Sequence, residues 1–189
     1  MKDRLRLFIA VSLSSSIRTS IEKRIRTFPP DLEDIRWVEP KNLHVTLKFL
    51  GDVPLNDLPQ LIRVVTQCTI QIDSFDLTFQ GFGVFPSRES PKTIWIGCRE
   101  GSDALKHLAE NINACLIPLG FPKETRRFSP HLTIGRVKRP AHGFPLISIL
   151  DAQQNCLFGS CSVDEVQIFS SELTRHGAIY DELAALPLR

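Results

Sequence analysis

At 189 residues the chain is long enough to bury roughly 70 % of the surface its unfolded form exposes, and 42 % hydrophobic with 23 % charged residues excludes disorder. A net charge of only +2 excludes a polycation that grips long duplexes by charge alone, and no run approaches the ~18 apolar residues of a membrane span. Five cysteines, odd in number and without a C-x-x-C pair, favour neither a disulfide framework nor a zinc knuckle and fit a reducing cytosol.

Residues 5 to 12 form a continuous apolar run that predicts a central strand covered on both faces. Lys2, Arg4 and Arg6 before it imitate a signal peptide, but the apolar run is short and a basic helix follows at once, so a buried first strand is the preferred reading. Ser14 to Ser16 offer caps for a helix carrying Ile17, Ile21, Ile25 and Phe28 at helical spacing, stopped by Pro29-Pro30. Ile35 to Val38 predicts a short strand, and Leu43 to Leu50 a longer one that ends in the Gly51 to Pro54 turn. Leu58, Leu61, Ile62, Val65 and Ile72 predict a second helix, with Pro59 tolerated in its first turn.

Phe75, Leu77 and Phe79 alternate as a half-buried strand. Gly81 to Lys92 reads as a loop or hairpin tip, and Thr93 to Cys98 as the returning strand. Ala104, Leu105, Leu108, Ile112, Cys115 and Leu116 predict a third helix. Pro118 to Pro130 is a basic connector, a strand follows from about His131, and Lys138 to Pro145 is a loop. Leu157 to Ser160, Val163 to Phe169 and Ala178 to Leu183 are strands, the last two a hairpin. The pattern βαββαββαββββ, with a similar strand in each half, predicts one α+β domain over residues 1–189 whose two intimate lobes are related by a pseudo-two-fold around a central cleft.

The repeated strands carry the chemistry. His44-Val45-Thr46 and His131-Leu132-Thr133 each alternate, so His and Thr share one face while Leu43, Val45 and Leu47, or Leu132 and Ile134, point into the core. Two imidazoles on opposite sides of a substrate can act as base and acid in one displacement, and threonine hydroxyls can donate to the non-bridging oxygens of an attacked phosphorus. This suits metal-free cleavage of a phosphodiester. A metal site is the rival chemical reading, but no third ligand stands beside either motif. Around the quartet, Phe8 is read either as a base-stacking aromatic or as core. Arg127 is read either as a phosphate contact or as a solvated charge. Lys48 has the parity of His44 and Thr46. Trp37, Trp95 and Tyr180 are read as core or rim, and His107, His142 and His176 as surface histidines.

Arg6-Leu7-Phe8-Ile9-Ala10, Arg36-Trp37-Val38, Asn42-Leu43-His44-Val45-Thr46-Leu47-Lys48-Phe49-Leu50-Gly51, Gly83-Val84-Phe85-Pro86, Gly120-Phe121-Pro122, Pro130-His131-Leu132-Thr133-Ile134-Gly135-Arg136 and Ser171-Glu172-Leu173 stand in the order and approximate spacing of a known family. From about residue 4 to 188 the chain resembles the RNA 2′,3′-cyclic phosphodiesterases, two-histidine (2H) phosphoesterases formerly called 2′-5′ RNA ligases. The resemblance implies two antiparallel sheets with helices outside. It also implies hydrolysis of a terminal 2′,3′-cyclic phosphate to a 2′-phosphate with no metal or cofactor. Cysteine usage points to the cytoplasm, and the absence of an obvious exposed apolar helix points to a monomer. The implied partners are RNA 3′ ends bearing the cyclic phosphate, tRNA halves or short oligonucleotides among them. Carried over, His44 is the proton donor and His131 the acceptor, with Thr46 and Thr133 beside them. Arg136 matches a phosphate-contacting arginine, yet strict alternation turns it away from His131 and Thr133; a bulge at Gly135 would bring it back. Rival readings are 2′-5′ RNA joining on the same site and an RNA-binding module whose catalysis is vestigial.

Overall fold

In chain order the elements are β1 (Arg4–Ser12), α1 (Ser15–Ile25), β2 (Ile35–Trp37), β3 (His44–Pro54), α2 (Leu58–Thr69), β4 (Phe75–Pro86), β5 (Pro91–Cys98), α3 (Ser102–Leu116), β6 (His131–Val137), α4 (Phe144–Asp151), β7 (Leu157–Val163), β8 (Glu165–Thr174) and β9 (Gly177–Pro187). They come from a computed structural model that describes residues 3–29, 32, 34–138, 144–175 and 177–189. His142 and His176 lie outside these residues.

The strands make two antiparallel sheets, ordered β3-β1-β8-β9 and β2-β6-β5-β4-β7. Each histidine strand is followed across its sheet by three partners in matching positions, β1-β8-β9 in one and β5-β4-β7 in the other; β2 is an extra strand beside β6. Helices α2 and α3 pack on the first sheet, through β8, β9 and β3, while α1 and α4 pack against β7 and β4 of the second. The two histidine strands themselves come into contact, β3 against β6. This is the two-lobed arrangement expected from the repeated motif.

Local sequence explains most of the elements. The Ser14 side chain accepts from the Ile17 amide at 3.4 Å and starts α1, which buries Ile17 and Ile21. Pro59 sits in the first turn of α2, where no helical N–H is required. Helix α3 buries Leu105, Leu108, Ala109, Ile112 and Leu116, a stripe at helical spacing. At roughly 1.5–3 kcal/mol for each large side chain taken from water, that stripe holds α3 against the sheet.

Besides the Gly51 to Pro54 turn, which is strand because β3 runs on through it to pair with Leu7 to Arg4 of β1, and Ile72, which lies beyond the end of α2 at Thr69, two expectations are corrected. Gly81 to Pro86 is strand, not loop: β4 runs on to Pro86, and only residues 87–90 turn. The glycines that suggested a turn serve other purposes. Gly81, at φ +71°, sits at an irregularity in the β4–β5 pairing, and Gly83 lies where a Cβ would collide with the indole of Trp95. The second correction is α4, which falls where no helix was expected. Its core contribution, Leu146 and Leu150, is a single pair at i, i+4 within eight residues, too short for a periodic pattern to stand out.

Bulges decide what faces the site. In β3, Thr46 pairs with Ala10 but Lys48 with Ile9, so Leu47 is an extra residue; Phe49 pairs with Phe8 and Gly51 with Leu7, so Leu50 is a second. In β6, Thr133 pairs with Trp95 but Gly135 with Ile94, so Ile134 is extra. Each bulge reverses the alternation of the residues after it. Lys48 therefore turns to the helix side with Ile9, whereas Phe49 and Arg136 turn to the faces that carry His44 and His131.

Candidate active site

His44 and His131 are built alike. Each stands at the first position of its strand, and each Nδ1–H donates to the backbone carbonyl two residues earlier, His44 to Asn42 and His131 to Ser129, both at 2.7 Å. A carbonyl oxygen only accepts, so this bond places the proton of each neutral ring on Nδ1. Nε2 is then the nitrogen that gains and loses protons in both rings.

The ring of His44 is walled by aromatic side chains. Phe8 lies 4.8 Å away, Tyr180 meets it edge-on at 5.3 Å and Phe169 stands at 6.3 Å, all centroid to centroid. His131 meets Phe85 edge-on at 5.0 Å and Trp95 at 6.3 Å. Burial pushes the imidazolium of His44 down to about 4, and the Arg18 charge acts in the same direction against the Asn42 carbonyl bond, which opposes it. In the free protein His44 is therefore neutral at pH 7.

The turn that carries the Asn42 carbonyl is itself held from two sides. Arg18 of α1 donates through Nη1 to the carbonyls of Pro40 (2.9 Å) and Lys41 (2.7 Å) and through Nε to that of Leu13 (3.1 Å). The Asn42 side-chain amide donates to the Ala178 carbonyl of β9 at 3.0 Å. A cavity of about 320 Å³ opens beside His44, lined among others by Arg18, Lys41, Phe169, Tyr180 and Glu182.

Thr46 and Thr133 are partly exposed on the faces of their histidines, between buried Val45 and Leu47 and between Leu132 and Ile134. Arg136 is exposed and pairs with Thr93, two residues along β5 from the Trp95 that pairs with Thr133; these four side chains share a face. The conflict between strand parity and a phosphate role for Arg136 is thus removed, by an extra residue at Ile134, next to the Gly135 considered from the sequence. Opposite Arg136 on β2 is Arg36, a second cation on that face. It belongs to the Arg36-Trp37-Val38 motif, but sequence reasoning gave it no role.

Other expectations fare differently. Phe8 is 2 % exposed, its ring enclosed by His44, Phe49, Phe169 and Tyr180; it has no open face for a base and acts as packing beneath His44. Lys48 is buried with its ammonium on the Asn113 side chain (2.6 Å), the Pro122 carbonyl (3.0 Å) and Glu124 (3.5 Å), away from the histidines. Arg127 is exposed on the rim of a second cavity, about 530 Å³, that also takes in Lys106, Trp95 and Ser129. His107 is exposed on α3. Tyr180 and Trp95, read as core or rim, are walls of the two histidines. Arg18 and Asn42 were missed because nothing in their sequence surroundings marks a contact made 22 or 136 residues away.

Two imidazoles with anchored Nδ1 and reactive Nε2, each beside a hydroxyl, can transfer protons to and from the two ends of an in-line displacement. Among the described residues no three His, Cys, Asp or Glu side chains gather as metal ligands, and no helix is long and apolar enough to cross a membrane.

Comparison with known proteins identifies the family of the chain. Residues 16–175 match the model of the 2′-5′ RNA ligase superfamily. An RNA 2′,3′-cyclic phosphodiesterase of Methanothermobacter thermautotrophicus is 34 % identical over 185 residues, covering 98 % of this chain and 100 % of that protein. One from Archaeoglobus fulgidus is 35 % identical, covering 95 % and 98 %. Among solved structures, a Thermus thermophilus protein superposes with a TM-score of 0.81 at 27 % identity. E. coli LigT complexed with 3′-AMP superposes with 0.78 at 28 %. Each structure covers 98 % of both chains.

Proposed function

Because the chain belongs to the 2′-5′ RNA ligase superfamily, we propose that it hydrolyses the terminal 2′,3′-cyclic phosphodiester of RNA to a 2′-phosphomonoester by metal-free acid–base catalysis. The observation that carries this reading is the matched pair of Nδ1–carbonyl bonds, which leaves two Nε2 atoms for proton transfer. His131 Nε2 takes a proton from water as its oxygen attacks phosphorus, and His44 Nε2 gives a proton to O3′ as the P–O3′ bond breaks. The P–O2′ bond survives, so the product carries a 2′-phosphate. Thr46 and Thr133 donate to the non-bridging oxygens, and the Arg136 guanidinium binds the phosphate. His44 takes up its proton when the anionic phosphodiester arrives, because that charge offsets the hydration lost to burial. We read residues 1–189 as one monomeric unit whose substrates are RNA 3′ ends, tRNA halves or short oligonucleotides. Five free cysteines support a cytosolic location.

The test is a short RNA ending in a 2′,3′-cyclic phosphate, incubated in excess chelator, with 2′- and 3′-phosphate products resolved. Conversion to the 2′-phosphate is expected, reduced at least about 100-fold in His44→Ala and in His131→Ala, the range of a general acid or base. Binding of the RNA without turnover would replace the enzyme reading with that of a binding module.

A further inference from the structure

The two bulges just beyond the threonines occur at equivalent places in the two halves. After His131-Leu132-Thr133 the extra residue Ile134 swings Arg136 into the site, and after His44-Val45-Thr46 the extra residue Leu47 does the same to Phe49. Phe49 and Arg136 are therefore counterparts, each three residues beyond its threonine.

Phe49 is 67 % exposed, whereas the strand around it buries Val45, Leu47, Lys48 and Val53. Without the bulge it would have turned to the helices and Lys48 to the cleft. Instead the ammonium is buried and the phenyl ring is given to solvent, the reverse of what burial preference alone selects. Its ring lies 6.1 Å from that of Phe8 at 45°, and Phe8 lies 4.8 Å from His44. One enclosed ring thus separates an open ring from the reactive imidazole. An open aromatic ring beside a phosphate-handling centre is the arrangement on which unpaired bases stack.

We propose that Phe49 is a stacking platform for a nucleobase of the RNA end, the counterpart in the His44 half of the phosphate-binding Arg136 in the His131 half. This rests on the phosphodiesterase reading. A planar π-face is recognised rather than a base edge, so the site accepts all four bases, with the larger purines favoured by ring overlap.

The experiment compares wild type with Phe49→Ala and Phe49→Trp on two substrates: a short RNA ending in a 2′,3′-cyclic phosphate, and 1-O-methylribose 2′,3′-cyclic phosphate, which has no base. Phe49→Ala is expected to lower the ratio of kcat/KM between RNA and the base-free substrate roughly tenfold to hundredfold, the range of one base–aromatic stack. The change should appear in KM, and Phe49→Trp should restore or raise the ratio. An unchanged ratio in Phe49→Ala, or equal losses on both substrates, overturns the stacking site while leaving the phosphodiesterase reading intact. Failure of wild type to cleave either substrate overturns that reading and the stacking site with it.

Discussion

Replacing Lys48 by alanine separates a structural from a chemical role for the most buried cation among the described residues. Lys48 is 2 % exposed and its ammonium joins β3 to the Asn113 side chain of α3 and to the Pro122 carbonyl beyond it. The charge-assisted bond to half-buried Asn113 contributes about 1.5–3 kcal/mol. The Pro122 carbonyl and Glu124 are at an exposed segment, so water replaces most of what they lose. Removing the aliphatic stem leaves a cavity between strand and helix that adds about 1 kcal/mol or more, against which stands relief from the desolvated ammonium. The net expectation is about 2 kcal/mol of lost stability, a fall in Tm of roughly 4–8 °C for a domain of this length, read by urea and thermal unfolding. Hydrolysis of the cyclic phosphate by the folded variant at 25 °C should stay within about threefold of wild type. A hundredfold loss of kcat with unchanged stability would refute the placement and return Lys48 to the cleft.

Three further expectations concern the site. His44 is held below its unfolded value near 6.5, so the unfolded chain binds a proton that the folded chain refuses until about pH 4; stability is intact above pH 6.5 and falls as pH drops through that window, by up to about 3 kcal/mol. Urea midpoints measured from pH 7 to 4.5 should show a smaller decline in His44→Gln than in wild type, and identical declines would contradict the buried ring. Arg18→Met frees the turn before His44 and removes a charge that disfavours its imidazolium. The NMR titration midpoint of His44 should then rise while staying below 6.5, since burial persists, and kcat should fall about tenfold; a stationary midpoint would count against the role of Arg18. Arg136→Gln alters an exposed side chain, so Tm should hold within about 1 °C while kcat/KM for the cyclic phosphate falls about 10–100-fold, and retention of full activity would remove Arg136 from the phosphate site.

How much of this was legible beforehand differs from residue to residue. The strand around His44 was readable because alternation is a property of neighbouring residues: Leu43 and Val45 are buried and His44 and Thr46 are not, as a period of two requires. Ser14 as a cap, Pro59 in a first turn and the α3 stripe were readable for the same reason, since each signal and its consequence lie within one helical turn. Gly81 and Gly83 misled because glycine marks any backbone freedom or close approach, and only Gln154 and Trp95, distant in sequence, show which kind applies. Phe8 was ambiguous because an apolar strand hides both faces, and four partner rings decided it.

Spacing along the chain sufficed for two apolar strands each bearing His and Thr on one face and for the helices between them, because each of these is a pattern among neighbouring residues. Tertiary structure alone decided that the strands are brought together, that Asn42 and Ser129 carbonyls fix both rings, and that Arg18 clamps one of the turns. It also decided the extra residues Leu47 and Ile134, which exchange Lys48 for Phe49 and turn Arg136 inward. A bulge carries no residue signature of its own; it arises from how two strands pair, and pairing joins residues that the sequence holds far apart.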